Sequence, residues 1–337
     1  MEFPGSHILS ISSFDRIDVE RVFAVADRMR PYAHRERVTR VLDGAILGSM
    51  FFEPSTRTRI SFGSAFNLLG GEVRETTGFE NSAIAKGESL YDTARVLSGY
   101  SDVIVMRHPQ DGSVAEFADA SRVPVINGGD GANEHPSQAL LDLYTIRNEL
   151  GAKSRSLDGL RIAMVGDLRY GRTVHSLSRL LNLFSNVEIR LVSPLELKMP
   201  AYIVDEMKAS GHRVTETEVL ETGIAGVDIV YSTRIQEERF TSRAEADLYR
   251  GRFRLNHSIY TANCEPNTVI MHPLPRDSRE GARELDIDLN DNPNLAIFRQ
   301  SDNGVLIRMA LFALILDVVD QVDTHARDVN WYTERRF

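Results

Sequence analysis

The stretch Ala45-Ile46-Leu47-Gly48-Ser49-Met50-Phe51-Phe52 runs straight into Glu53-Pro54-Ser55-Thr56-Arg57-Thr58-Arg59. A helical pattern from Ile60 to Leu69 follows, ahead of Gly70-Gly71. An apolar run, a tight polar turn and a helical period in that order predict a buried strand, a turn and a helix start. Unpaired backbone N–H groups and the positive end of the helix dipole would then converge near Ser55 to Thr58. Three hydroxyls and two guanidiniums at the same place make an anion cage, and phosphate suits it best. A lone Ser-Thr pair would read as an ordinary N-cap. Donors at every position from Ser55 to Arg59, directly after a buried strand, exceed what capping requires.

The rest of the chain bounds what such a cage can serve. At 337 residues there is length for two domains with separate cores. Hydrophobic and charged fractions of 42% and 26% are those of an ordinary globular protein. The net charge of −9 argues against general nucleic-acid binding or anionic-membrane binding, both of which need a basic footprint. Cys264 is the only cysteine, so no intrachain disulfide is expected and a reducing compartment is the natural setting. No cationic segment followed by an apolar one opens the chain, and Val305 to Val319 is interrupted by Arg308 and Asp317. The expectation is therefore a cytoplasmic protein without a signal peptide or membrane span.

In chain order, Phe14 to Met29 reads as an amphipathic helix. Thr76 to Lys86 reads as a loop carrying Ser82 and Lys86, followed by a helix around Glu88 to Ser98. Asp102 to Met106 and Val123 to Ile126 are short apolar runs, ending in Arg107-His108 and in Asn127-Gly128-Gly129-Asp130. His135-Pro136-Ser137-Gln138 opens a helix to about Leu150, with Pro136 at a position where its missing N–H is harmless. The segment Gly151 to Ser156 is the expected domain boundary. Beyond it, Leu160 to Val165, Val187 to Val192, Val227 to Tyr231, Thr268 to Met271 and Leu295 to Phe298 read as strands. Between them, Thr173 to Phe184 places Val174, Leu177, Leu181 and Phe184 on one helical face.

Near-continuous apolar strands alternating with helices predict an α/β fold of two doubly wound domains, each a parallel sheet flanked by helices. The domains would span 1–150 and 151–302. The last helix, Asn303 to Val322, is apolar nearly all round and must be buried. It would return to the first domain, completing it with residues 303–337. Polar clusters just after strand ends are where such sheets bind ligands.

Gly166-Asp167-Leu168-Arg169-Tyr170-Gly171-Arg172-Thr173 comes within one residue of a P-loop. Arg172 replaces the compact ammonium of that motif with a planar fork suited to a carboxylate. No second acidic strand end for magnesium stands out, so a P-loop-like NTPase is the lesser alternative. Thr233-Arg234-Ile235-Gln236 supplies another strand-end arginine. One such arginine suggests a surface ion pair; two in one domain can hold a dicarboxylate. His272-Pro273-Leu274-Pro275-Arg276 is stiffened by its prolines, either as a connector or as a lining that exposes carbonyl acceptors. His108 and His175 lack partners at metal-ligand spacing, so no metal is expected.

Together and in this order, the Phe52–Arg59 turn, His135–Gln138, Gly166–Ser176, Thr233–Gln236 and His272–Arg276 resemble the aspartate/ornithine carbamoyltransferase family, on its aspartate side. The resemblance runs roughly from His7 to Val319. Ornithine-specific members typically carry lysine just before the turn and cysteine in both His-Pro segments; here those places hold Pro54, Ser137 and Pro273. Another amino-acid carbamoyltransferase remains the near alternative. The resemblance implies transfer of the carbamoyl group of carbamoyl phosphate to the α-amino group of L-aspartate, with no cofactor. It implies that Ser55, Thr56, Arg57 and Thr58 hold the phosphate. Thr58, Arg107 and His135 would face the carbonyl oxygen, with Gln138 beside the carbamoyl amine. Arg172, Arg234 and Gln236 would bind the carboxylates, and the carbonyls of Pro273 and Leu274 would accept from an amine. Ser82 and Lys86 would come from the neighbouring subunit of a homotrimer with shared sites, Arg59 would be a structural ion pair, and a regulatory chain stays open. After Arg276 the chain reads Asp277-Ser278-Arg279-Glu280 where relatives commonly have Val-Asp-Glu, a departure that bears on local contacts rather than on the chemistry.

Overall fold

The structure, a computed structural model, describes residues 1–78, 87–236, 240, 248–249, 251–279 and 281–331. The chain forms two compact units, Met1–Ser137 with Asn303–Phe337, and Gln138–Asp302.

The first unit opens with α1 (Arg16–Arg28), started by a reciprocal Asp15–Asp18 capping box, and the short α2 (Arg30–Ala33). Strands β1 (Arg37–Thr39) and β2 (Ile46–Phe51) follow, then α3 (Thr56–Leu68) and β3 (Glu72–Thr77). Next come α4 (Leu90–Leu97), β4 (Val103–His108), α5 (Ser113–Ala120) and β5 (Val125–Asp130). Strands β3-β2-β4-β5 make one parallel sheet. Met50, Ile104, Met106 and Val125 pack one face of it against Ala94, Val114 and Phe117.

The second unit lies between α6 (Pro136–Gly151) and the return of the chain. It contains β6 (Arg161–Val165), α7 (Arg172–Leu181), β7 (Glu188–Val192), α8 (Ala201–Ala209) and β8 (Arg213–Thr217). It continues with α9 (Leu220–Ile224), β9 (Ile229–Ser232), α10 (His257–Asn263) and β10 (Val269–Met271). Its sheet, ordered β10-β9-β6-β7-β8, is again wholly parallel.

The long α11 (Ile297–Ile315) is buried almost throughout its second half, from Leu306 onward. There it backs α3: Phe312 stacks edge-on against Phe62 and Phe66 at 6.0 and 4.9 Å, and Arg308 Nη1 donates to Ser61 Oγ at 2.7 Å. The helix that follows the hydroxyl- and arginine-rich turn is thus packed into the unit rather than left on its surface. Beyond α11, β11 (Ala326–Asp328) pairs antiparallel with β1. Asp323 pins this last segment, accepting from Tyr32 Oη at 2.6 Å and Arg28 Nη2 at 3.1 Å. No helix among the described residues is long and apolar enough to cross a membrane.

Several sequence expectations need correction. Leu295 to Phe298 is not a strand: Leu295 makes a single bridge to Ile270, and α11 begins at Ile297. A four-residue apolar run does not distinguish the two. The final helix therefore starts before Asn303. Thr76 and Thr77 belong to β3, not to a loop, while residues 79–86 lie outside the described residues. Edge strands β3 and β8 were not expected; both are half-exposed and strongly polar. Arg107-His108 and Asn127–Asp130 stand inside β4 and β5 rather than after them.

Candidate active site

In the first unit, neighbouring parallel strands β2, β4 and β5 carry the predicted residues at their C-terminal ends, the ligand-binding edge of such sheets. The turn after β2 reaches Ser55, the N-cap of α3, whose side chain makes no capping hydrogen bond (φ −159°, ψ 92°). Its hydroxyl is thus not spent on the helix's own first N–H groups. Thr56, Arg57 and Thr58 fill the first turn of α3, where N–H groups lack intrahelical acceptors.

Arg107 pairs in register with Phe51, which sets it beside the turn. It is 9% exposed; Nη2 lies 2.9 Å from Glu53 Oε2 and Nη1 donates to the Gly128 carbonyl at 3.4 Å. Glu53 thus aims the guanidinium, a role the sequence reading did not give it. Arg59 points elsewhere, donating to Glu75 Oε2 at 2.6 Å, as an ion pair between α3 and β3. His135 is buried immediately before α6. The loop that delivers it is braced by Asp130, which accepts from Gly112 N (3.0 Å), Asn127 Nδ2 (2.9 Å) and Glu134 N (3.2 Å). Glu134 in turn accepts from Ser10 Oγ at 2.8 Å and Ile11 N at 3.2 Å. His108 is structural: its Nδ1 accepts from Gln110 N at 3.1 Å, and burial holds its pKa below the ordinary value.

In the second unit the same logic repeats on neighbouring strands β6, β9 and β10. After β6 the chain turns at Gly166 with φ +115°, where a Cβ would stand 2.3 Å from the Thr233 carbonyl. Only glycine allows that approach. Fully buried Asp167 braces the turn through Arg169 N (3.2 Å) and Tyr170 N (3.0 Å) on one oxygen. Its other oxygen accepts from Gln236 N at 3.1 Å, tying the β6 turn to the β9 turn. Arg172 at the start of α7 and Arg234 after β9 therefore stand at adjacent, cross-linked strand ends. His175 Nε2 bonds the Leu168 carbonyl at 2.8 Å, and burial lowers its pKa, so it too is structural.

After β10, His272 N donates to Gln300 Oε1 at 2.9 Å and His272 Nδ1 accepts from Leu274 N at 2.8 Å. Glu284 Oε1 lies 2.7 Å from His272 Nε2, and Glu284 also accepts from Asp277 N at 3.1 Å. Glu284 thus links the His272 ring to the Asp277 backbone across the Pro273-Leu274 turn. Leu274 sits at φ +58°, an uncommon value for a branched residue. Gln138 Nε2 donates to Asp142 Oδ1 at 2.9 Å. Ser82 and Lys86 lie outside the described residues. Sequence reasoning missed Glu53, Asp130, Glu134, Asp142, Glu284 and Gln300. Of these, only Asp142, one helical turn after Gln138, left a usable spacing signal.

Residues 6–148 match the family model described as aspartate/ornithine carbamoyltransferase, carbamoyl-P binding domain, and residues 158–315 match its Asp/Orn binding domain. The aspartate carbamoyltransferase catalytic subunit of Saccharophagus degradans is 76% identical over 337 residues, covering all of both chains. A crystal form of the aspartate transcarbamoylase catalytic subunit of M. jannaschii superposes with a TM-score of 0.83 at 43% identity, over 93% of this chain and 98% of that one. The Trypanosoma cruzi aspartate transcarbamoylase, solved with carbamoyl phosphate and aspartate, gives 0.85 at 37% identity, over 93% and 98%. The chain belongs to the aspartate/ornithine carbamoyltransferase family.

Proposed function

We propose that this protein transfers the carbamoyl group of carbamoyl phosphate to the α-amino group of L-aspartate, giving N-carbamoyl-L-aspartate and phosphate, the reaction that commits carbamoyl phosphate to pyrimidine synthesis. What supports aspartate most is the pair of arginines at adjacent strand ends, Arg172 and Arg234, cross-linked through Asp167 and Gln236. Two guanidinium forks suit a dicarboxylate, whereas an amino acid with a cationic side chain would meet repulsion there. Relatives named for aspartate rather than ornithine point the same way. The P-loop-like alternative has less support, because Arg172 begins α7 where a P-loop places lysine.

In this reading residues of the first unit hold the phosphate and carbonyl of carbamoyl phosphate, and residues of the second bind aspartate. Ser55, Thr56, Arg57 and Thr58 hold the phosphate against the α3 N-terminus. Aspartate's amine attacks the carbamoyl carbon, and the oxygen of the tetrahedral intermediate gains negative charge. Thr58, Arg107 and His135 stabilise that charge; removal of one such donor costs about 10²–10³ in rate. Gln138 accepts from the carbamoyl amine, and the Pro273 and Leu274 carbonyls accept from the attacking one. The carbamoyl C–O bond to phosphate then breaks, and the leaving phosphate takes the amine proton. No covalent enzyme intermediate is required.

The working unit is a homotrimer in which Ser82 and Lys86 complete a neighbour's site, in the cytoplasm, with room for a regulatory chain. The single thiol, Cys264, is half-buried and pushed up to about 12 by burial, in keeping with an inert cysteine. Steady-state kinetics of arginine variants test the assignment. Arg57→Ala abolishes turnover with the fold intact, and Arg172→Ala or Arg234→Ala raises the aspartate KM far more than the carbamoyl phosphate KM. The opposite pattern would mean that the two subsites are swapped.

A further inference from the structure

Within the second unit, Asp142 on α6 is fully buried and collects donors from three separate elements. Oδ1 accepts from Gln138 Nε2 at 2.9 Å and from Gln300 Nε2 at 2.7 Å, and Oδ2 accepts from Tyr231 Oη at 2.6 Å. The other two donors are themselves fixed. Gln300 accepts from His272 N through its other amide atom at 2.9 Å, so its orientation is determined. Tyr231 lies in β9 with its phenol fully buried. An acceptor-only carboxylate so clamped has one effect on Gln138: it takes the amide N–H, and the amide oxygen must face the other way.

We propose that Asp142 is a positioning residue, which by binding Gln138 Nε2 fixes the Gln138 amide with its oxygen turned toward the carbamoyl amine. An unanchored glutamine populates both amide orientations, and the wrong one would present N–H₂ to the N–H₂ of the substrate. Burial and the nearby Asp142 hold the Tyr231 phenol well above its usual pKa, so the clamp remains a donor across the working range. The same hub reaches the His272 turn through Gln300. The proposal rests on the carbamoyl transfer activity set out above.

The test measures kcat and KM for carbamoyl phosphate with Asp142→Leu, in the native chain and in a Gln138→Ala background. Asp142→Leu strands a buried phenol, so the pair Asp142→Leu/Tyr231→Phe is measured as well, replacing acceptor and donor by apolar groups of similar shape. A hydrogen bond to a charged acceptor predicts a loss of roughly ten- to a hundredfold in kcat/KM where residue 138 is Gln. Where residue 138 is Ala, the same change costs less than about twofold, because there is no amide left to orient. Equal losses in both backgrounds, or no loss with Gln present, would overturn the proposal, since a purely structural role is indifferent to residue 138. Absence of carbamoyl-aspartate from the unmodified chain would overturn the underlying activity instead.

Discussion

Replacing Gly166 by Ala puts one carbon where the two turns of the second unit meet. The new Cβ would lie 2.3 Å from the Thr233 carbonyl oxygen and 2.8 Å from its Oγ1, at φ +115°. Real Cβ contacts stop near 3.0 Å, so the Thr233 carbonyl must retreat by roughly 0.7 Å. Thr233 cannot move alone, because its N–H is held by the Val165 carbonyl at 2.8 Å and Arg234 is the next residue. A side chain in this backbone region costs about 1–3 kcal/mol. The displacement carries Arg234 and Gln236 away from Arg172, and a shift approaching 1 Å can cost on the order of 10²-fold. We therefore expect Gly166→Ala to lower kcat/KM for aspartate by roughly ten- to a hundredfold. Calorimetric titration with phosphonoacetate should show unchanged affinity, since the phosphate residues belong to the first unit. Aspartate saturation curves, with a thermal melt as control, make the measurement. A wild-type aspartate KM in a variant of wild-type stability would refute the idea that this glycine lets the two arginine turns share one geometry.

Phe312→Ala removes the ring that packs between Phe62 and Phe66 and should destabilise the first unit by about 3–5 kcal/mol in denaturant unfolding. A loss below about 1 kcal/mol would mean that α11 does not support α3. Burial, reinforced by the hydrogen bond to Asp323 and its charge, pushes the Tyr32 phenol up to about 12. A folded pKa above the unfolded value of about 10 contributes stability that is complete below about pH 10 and fades between about 10 and 12. Comparing unfolding of the native chain with Tyr32→Phe across that range should show the difference shrinking; a difference constant to pH 12 would contradict the assignment. Mixing inactive Arg57→Ala and Lys86→Ala chains should restore some activity through hybrid trimers, and none would argue that each chain holds a complete site.

What could be read from the sequence depended on how local the cause is. The strand, turn and helix from Ile46 to Leu68 were legible because a continuous apolar run, a proline and hydroxyl-rich turn and a helical period all agree. Strands β3 and β8 were not, because edge strands with one half-solvated face carry no apolar run: Glu72, Arg74, Glu75 and Thr77 are exposed. The residues proposed to face the substrates stand out in the sequence as polar clusters at strand ends, strengthened by family resemblance. Their supports do not. Asp142 meets Gln300 across 158 positions and Tyr231 across 89, and only the folded chain brings such partners together. Glu53 is a middle case, since it lies inside the motif, yet its purpose emerges only from the register that sets Phe51 beside Arg107.

The most direct measurement is product analysis after incubating the purified chain with isotopically labelled carbamoyl phosphate and, in parallel, L-aspartate, L-ornithine or ATP. Label is expected in N-carbamoyl-L-aspartate with stoichiometric phosphate release, little transfer to ornithine and no nucleotide-dependent phosphate. Label passing preferentially to ornithine, or phosphate released from ATP without carbamoyl transfer, would contradict that expectation.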